Sequence, residues 1–211
     1  AEVEQLIADF IAAARRADKM THIYHRGQDL IWSGQAVFAE LCEKHGGVKL
    51  AGEKRAALGA VLSVLMWGEL AAWKIAEQLA DRLEAMPPKL AATSQAHDEA
   101  RHFYVLVDYL QALGHTPRPL DRRARLLLES SLQTQDVVKK VMGMQLMIEA
   151  LALTVFQSLR EAQVEPVLTE LLRYYEKDEA RHVGLGLQFL PDQLQSLSRV
   201  RTAELLAFEV Q

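Results

Sequence analysis

The chain has 211 residues, of which 50% are hydrophobic and 25% are charged, and its formal net charge is -4. This length is enough for one substantial core, so a single domain is expected, and the acidic balance disfavours a nucleic-acid partner. The single cysteine, Cys42, excludes an intrachain disulfide and a thiolate metal cluster and predicts a reducing, cytoplasmic setting.

Apolar residues recur at three- and four-residue spacing along most of the chain, which is typical of helices. In chain order, the predicted helices cover 2–18, 28–45, 52–85, 88–113, 123–130, 133–162, 165–189 and 192–209. His22 to Gly27 is predicted to be a loop, and Pro191 is predicted to separate the last two helices. No run approaches the roughly 20 uninterrupted apolar residues of a membrane helix, so no membrane span is predicted.

Two long helical hairpins, 52–113 and 133–189, are predicted on either side of one long connection. This layout is typical of a four-helix bundle with a single crossover. The predicted fold is therefore all-α, with one domain over 1–211. Within it, accessory helices occupy 1–50, the bundle occupies 52–190 and a C-terminal helix occupies 191–211.

A short motif repeats at the centre of both hairpins. DEARH occurs from Asp98 to His102 and again from Asp178 to His182, 80 residues later, and the same offset separates Glu69 from Glu149. Residues three apart lie on one face of a helix, so each Glu-x-x-His pair can reach one point.

The acids that precede each motif lie in strongly apolar sequence, where a buried charge is costly unless a cation neutralises it. Four carboxylates and two imidazoles therefore predict a site for two divalent cations. Iron is favoured, and manganese or a mixed pair also suits these donors. The predicted ligands, through which any catalysis would act, are Glu69, Glu99, His102, Glu149, Glu179 and His182.

The remaining polar residues of the motif are predicted to support the ligands. A metal-binding histidine usually donates its second ring N–H to an acceptor such as a carboxylate. We expect Asp98 to serve His182 and Asp178 to serve His102, each from the opposite repeat. Arg101 and Arg181 are expected to pair with these aspartates, although charges on a solvated helix face are the simpler alternative.

With these residues the sequence resembles the ferritin-like di-iron carboxylate superfamily, over about residues 55 to 190. The motif is most similar to the oxygen-activating branch, which includes ribonucleotide reductase small subunits, multicomponent monooxygenases, ligand-binding oxidases and N-oxygenases. Leu106 stands where the reductase subunits have a radical tyrosine, and Leu153 stands where monooxygenase hydroxylases often have threonine. One cysteine also excludes the iron site of rubrerythrins, so no subfamily is indicated.

Trp73, Gln95, Gln145 and Tyr175 each lie four residues from a predicted ligand, on the ligand face. Tyr175 or Trp73 is a candidate carrier of an oxidising equivalent, and Gln145 is a candidate hydrogen-bond partner of a ligand. Ordinary packing is the alternative, and we favour it for Trp73. A further group is basic and is interpreted as a solvated face: Arg122, Arg123, Arg125, Lys139 and Lys140.

The resemblance implies an oxidoreductase that uses O2 to oxidise or oxygenate a small organic substrate. It also implies an electron-donor protein, and the long amphipathic helices suggest a homodimer. A ferroxidase or other iron-handling protein is the alternative, and a binding protein with a structural metal is a third. An apolar route to the metals would favour an organic substrate, whereas an acidic channel would favour iron traffic.

Overall fold

A computed structural model describes residues 3–5, 7–8, 19–195 and 197–210, with the side chains of 209 and 210 excepted. The predicted all-α fold is confirmed. The helices are α1 (Lys19–Asp29), α2 (Gly34–His45), α3 (Gly52–Arg82), α4 (Met86–Ala112), α5 (Arg122–Gln133), α6 (Val137–Val141), α7 (Glu149–Ala162), α8 (Pro166–Leu194) and α9 (Arg199–Val210). A π-helical segment, Met142–Ile148, joins α6 to α7 without a break.

The bundle consists of two hairpins, α3 with α4 and α6–α7 with α8, and α5 lies in the connection between them. Its core has two apolar clusters. One includes Leu62 and Leu106, and the other includes Ile75 and Leu185. On each long helix the charged ligand positions fall between these two clusters, so the polar centre is enclosed by hydrocarbon at both ends.

Helix α5 is fixed at both of its ends. Asp121 caps its first turn by accepting hydrogen bonds from the backbone N–H groups of Arg123 and Ala124. At the other end, the Lys140 ammonium donates to the carbonyl oxygens of Ser131 and Leu132, each at 2.9 Å. Lys140 is fully buried, and burial lowers its pKa to about 8, so it does not belong to the predicted solvated face.

By length and composition alone, α3 and the run Val137–Ala162 are apolar enough to cross a membrane. Core helices of a bundle meet the same criterion, and each of these two carries one buried glutamate, Glu69 or Glu149, near its middle. The expectation of no membrane span stays a prediction.

The structure differs from the predicted elements at three places. The loop predicted over His22 to Gly27 is wrong, because these residues belong to α1. Gly27 permits this helix to pack closely on the bundle, since a Cβ there would lie 2.4 Å from Ser94 Oγ. The predicted helix 28–45 begins too early, because Ser33 caps α2 at Gly34.

Pro191 does not separate two helices, because it lies in the last turn of α8, which continues to Leu194. A proline this close to a helix end removes one backbone hydrogen bond. Only a few helical residues follow it, so the helix is little affected. The next helix begins at Arg199, later than the predicted 192. The predicted helix 2–18 falls mostly outside the described residues.

Candidate metal centre

The structure brings all six predicted ligand residues together at the bundle centre. Glu69 comes from α3, Glu99 and His102 from α4, Glu149 from the start of α7, and Glu179 and His182 from α8. None of them is more than 4% exposed. Four separate helices therefore deliver four carboxylates and two imidazoles to one small volume.

The donor atoms form two overlapping groups of four. One contains Glu69, Glu99, His102 and Glu179, and the other contains Glu99, Glu149, Glu179 and His182. Within each group the ligand atoms all lie within 4.8 Å of one another, which suits a single ion about 2.1 Å from each donor. Glu99 and Glu179 belong to both groups, so each can bridge two adjacent ions.

Both histidines point the same ring nitrogen at the carboxylates. Nδ1 of His102 lies 3.0 Å from Glu179 Oε1 and 3.3 Å from Glu69 Oε2. Nδ1 of His182 lies 2.9 Å from Glu99 Oε1 and 3.3 Å from Glu179 Oε2. These nitrogens converge on the same space as the carboxylate oxygens, as ligands of a shared pair of ions would.

Within the described part of the chain, several buried polar atoms of the centre lie close to one another without forming a well-aligned hydrogen bond, which supports a metal at this place. They include His102 Nδ1, Glu99 Oε2 and Glu179 Oε1. Buried polar atoms in native proteins are nearly always paired, because leaving one unpaired costs about 1–3 kcal/mol. Coordination to cations would satisfy all three atoms, and two divalent ions would balance the four negative charges of the glutamates.

The surroundings of the centre favour ionisation of some carboxylates and oppose it for others. Burial and the neighbouring Glu179 carboxylate raise the pKa of Glu69 and of Glu149 well above the ordinary value. Burial also opposes ionisation of Glu99, but His182 and His102 hold its pKa well below the usual range. A cation between these carboxylates would offset the burial and the repulsion that raise the pKa of Glu69 and of Glu149.

Metal binding should release protons, so apparent affinity should rise with pH. The pKa values of Glu69, Glu149, His102 and His182 are all raised, the histidine values because their carboxylate partners outweigh burial. All four groups must be deprotonated where they bind metal. Titration calorimetry with Mn²⁺ in two buffers of different ionisation enthalpy should give different apparent enthalpies. Equal enthalpies would contradict the expectation.

Each motif's aspartate contacts the histidine of the other motif. Asp178 Oδ2 lies 3.2 Å from His102 Nε2, and Asp98 Oδ2 lies 3.4 Å from His182 Nε2. Arg101 donates to both aspartates at 2.6 and 2.9 Å, and Arg181 also contacts both. The result is a buried, alternating ring of two aspartates and two arginines that orients both histidines.

Trp32 is a part of this network that the sequence analysis did not identify. It lies in the connection before α2, and its indole N–H donates to Asp178 Oδ2 at 2.8 Å. Its ring also lies over the Arg101 guanidinium at 4.6 Å. The bond joins positions 146 residues apart, so no local sequence pattern could have revealed it. Among the described residues, the His102–Asp178 pair has such an aromatic partner and the His182–Asp98 pair has none.

Tyr175 packs directly on a predicted ligand. Its ring stacks on His102 with a centroid separation of 4.3 Å, and its hydroxyl donates to the His102 carbonyl at 2.8 Å. Burial raises its pKa well above the ordinary value, so the phenol stays protonated. Tyr175 is thus placed beside the centre, and its role as an electron carrier stays a prediction. Trp73 packs on Phe103 at the edge of the bundle, with ring centroids 6.4 Å apart.

Gln95, rather than Gln145, contacts the ligands. The Gln95 amide donates to Glu149 Oε1 at 2.6 Å and to Glu99 Oε1 at 3.2 Å. Gln145 donates to Gln95 Oε1 at 2.8 Å and so reaches Glu149 only through it. Gln145 lies in the π-helical segment, which changes the direction of its side chain relative to a regular helix.

A cavity of about 110 Å³ reaches the centre from between α3, α5 and α7. Among the described residues that line it, the charged ones are Glu69 and Glu149, one from each half of the repeat. The rest of the lining is apolar and includes Leu65, Ala72, Leu127, Ile148 and Ala152. The cavity therefore gives an apolar molecule access to the predicted ligands. Its described lining offers no series of charged side chains along which a cation could reach them.

No protein-family model matches the sequence, and a search of curated proteins finds no relative. Among solved structures, the chain is similar to a mutant R2-like ligand-binding oxidase with an aerobically reconstituted Mn/Fe cofactor. The TM-score is 0.64 at 18% sequence identity, and the match covers 81% of this chain and 71% of that one. The chain therefore has the ferritin-like helical fold of the R2-like oxidase.

Proposed function

We propose that this protein is a di-metal carboxylate oxidoreductase that uses O2 to oxidise or oxygenate a small apolar organic substrate. The apolar cavity that ends at Glu69 and Glu149 carries the proposal. A substrate in this cavity would lie against the metal ligands while remaining shielded from bulk water. Its lining selects for hydrocarbon, because a charged group would have no partner there other than the two acids.

Two donor groups that share Glu99 and Glu179 would hold the two metal ions. When bound, a pair of iron ions, or of manganese and iron, supplies the redox chemistry with O2. Glu69 and Glu149 would each serve one of these groups, and both line the cavity. Asp178 and Asp98 would fix the orientation of His102 and His182, and the apolar clusters at both ends exclude water.

Electrons must come from outside for a hydroxylation. Insertion of one oxygen atom into a C–H bond leaves the second atom to form water, which requires two further electrons and two protons. We therefore propose an electron-donor protein as a partner, in a cytoplasmic setting. We also propose that the chain assembles as a homodimer.

An iron-handling role is the competing function. Such a protein needs a path for hydrated cations, and carboxylates commonly line such paths. In the part of the chain that the structure describes, the cavity is lined by no charged residue apart from the predicted ligands Glu69 and Glu149. This favours the organic substrate, and the experiment below separates the two functions.

Blocking the cavity should separate metal chemistry from substrate chemistry. Gly68 lines the cavity, and a Cβ at this position would meet no atom within 4 Å. Gly68→Leu should therefore fill space in the cavity without distorting α3, where leucine is the better helix former. We expect two metals per chain, normal consumption of O2 by the ferrous protein, and at least about tenfold less product from an apolar substrate.

The matched control is Ala180→Leu, which adds a leucine at an exposed position on α8. It should leave both O2 consumption and product formation unchanged. Product would be followed by mass spectrometry after incubation with ¹⁸O2 and a panel of apolar compounds. If ferric iron accumulates equally in both variants and no compound is oxidised, the iron-handling function replaces the proposed one.

A further inference from the structure

The faces of α3 and α7 beside the cavity form an uncharged surface. Residues 56–68 of α3 contain no charged side chain, and neither do residues 150–159 of α7. Val61, Val64 and Leu151 are 41%, 47% and 57% exposed. Val64 and Leu151 also line the cavity, so this apolar surface is continuous with the route to the metals.

A groove extends the same surface away from the cavity. It runs between the first half of α3 and the end of α7, and its lining includes Leu58, Val61, Leu159 and Val164. Lys54 is the charged residue of this lining. Helix α3 therefore presents hydrocarbon to the outside over about three helical turns. On α7, Leu151 is followed on the outside by the uncharged polar residues Thr154 and Ser158.

Helix α5 lines the same cavity and carries exposed positive charge. Its inner side contributes Leu127 and Leu128 to the cavity, whereas Leu126 is 52% exposed on its outer side. Arg122 and Arg123, one turn before Leu126, are also exposed, so the three share the outer side. Within the described part of the chain, Arg122 and Arg123 form no ion pair, while Arg125 is 3.8 Å from Glu129.

We propose that this surface, formed by Val61, Val64, Leu151, Leu126, Arg122 and Arg123, docks on an anionic phospholipid bilayer. Exposed aliphatic side chains beside arginines are typical of proteins that bind a membrane surface. The whole chain is acidic, with a net charge of -4, so the arginines mark a local site rather than a general affinity for anions. An apolar substrate dissolved in the bilayer would then pass from lipid to cavity without crossing water.

Charge favours a bilayer over a second copy of the chain. A twofold contact through this surface would bring four arginines into one interface. The carboxylates of α5 are already engaged, because Asp121 caps its first turn and Glu129 lies 3.8 Å from Arg125. Phospholipid head groups supply the missing negative charge, and the acyl region accepts the aliphatic side chains. The docking is argued from the surface alone, while the source of the substrate rests on the proposed function.

The test is co-flotation of the metal-loaded protein with vesicles. We expect binding to vesicles of phosphatidylcholine with roughly one-third phosphatidylglycerol, and about tenfold less to phosphatidylcholine alone. The double variant Arg122→Glu/Arg123→Glu should lose the preference for anionic vesicles, and Leu126→Gln should weaken binding to them. The charge-matched control Arg173→Glu/Lys177→Glu changes two exposed basic residues of α8 and should bind like the unmodified protein.

Two results would overturn the proposal. One is equal binding by the arginine double variant and the α8 control. The other is a stable dimer, seen by sedimentation, that does not bind vesicles and that becomes monomeric in the double variant Val61→Gln/Leu151→Gln. In that case a second copy of the chain would cover the surface. Docking without oxidation of any lipid-soluble compound would instead count against the proposed function and leave the docking intact.

Discussion

Removal of both metal ions is expected to lower the melting temperature by roughly 10–30 °C. An ion present at about 100 to 1,000 times its dissociation constant stabilises a protein by roughly 2.7–4.1 kcal/mol, so two ions give roughly 5–8 kcal/mol. Without them, four buried glutamates share one small space, and Glu99 Oε2 and Glu179 Oε1 have no hydrogen-bond partner. Calorimetry before and after chelation, and after restoration with Fe²⁺ or Mn²⁺, measures the effect.

The size of this effect should depend on pH. In the metal-free protein the raised pKa values of Glu69, Glu149, His102 and His182 stabilise the fold at low pH. This stability is lost as pH rises through the folded-state values. The difference between the melting temperatures of the metal-loaded and metal-free proteins should therefore widen from pH 5 to pH 8. At the acid end the two melting temperatures should be roughly equal.

Glu149→Gln is the matched control for the metal effect. The amide keeps the shape of the side chain and mimics the protonated acid that the raised pKa favours. The metal-free variant should melt no lower than the metal-free native protein, whereas added metal should stabilise it much less. A native protein that melts at one temperature with and without metal would show that cations do not hold this centre together.

The second large effect is expected from Asp178→Asn. Asp178 accepts from Trp32, Arg101 and Arg181 and also contacts His102. Removing one charge from a buried ion-pair network costs about 3–5 kcal/mol, because the remaining charges lose their partner. Loss of the acceptor behind a histidine ligand typically weakens metal binding about 10- to 100-fold. Chemical unfolding and metal titration would measure the two effects separately.

Asp98→Asn provides an internal comparison. Asp98 contacts Arg101, Arg181 and His182, but no tryptophan donates to it. Its substitution should therefore weaken metal binding as well, with a smaller loss of stability than Asp178→Asn. Glu170→Gln, which removes an exposed pair with Lys44, should change neither property. Equal effects at positions 98, 170 and 178 would show that the ring of aspartates and arginines has no role in orienting the histidines.

The sequence was sufficient for the four central helices and for the six residues that meet at the candidate metal centre. Their role as metal ligands stays a prediction. Ligand spacing within a helix depends only on local geometry, so Glu99 with His102 and Glu179 with His182 could be predicted from a three-residue interval. The crossed pairing of Asp98 and Asp178 followed because the motif occurs twice and its two copies must face each other. These predictions needed no knowledge of how the connections run.

Features that depend on distant packing could not be predicted. The polar stretch around His22 gave no sign that α1 would lie on the bundle, because the close contact of Gly27 with Ser94 and Arg181 involves another part of the chain. The hydrogen bond from Trp32 to Asp178 likewise joins two distant parts of the chain. The π-helical segment changed the partner of Gln145, and a regular helical period, which the prediction assumed, cannot represent such a segment.

Glu99 and Glu179 belong to both donor groups, so each group takes three donors from one hairpin and the fourth from the other. Neither hairpin alone supplies all four donors of either group. Metal loading should therefore require both hairpins to be folded against each other, which would make the ions a brace between the two halves of the bundle.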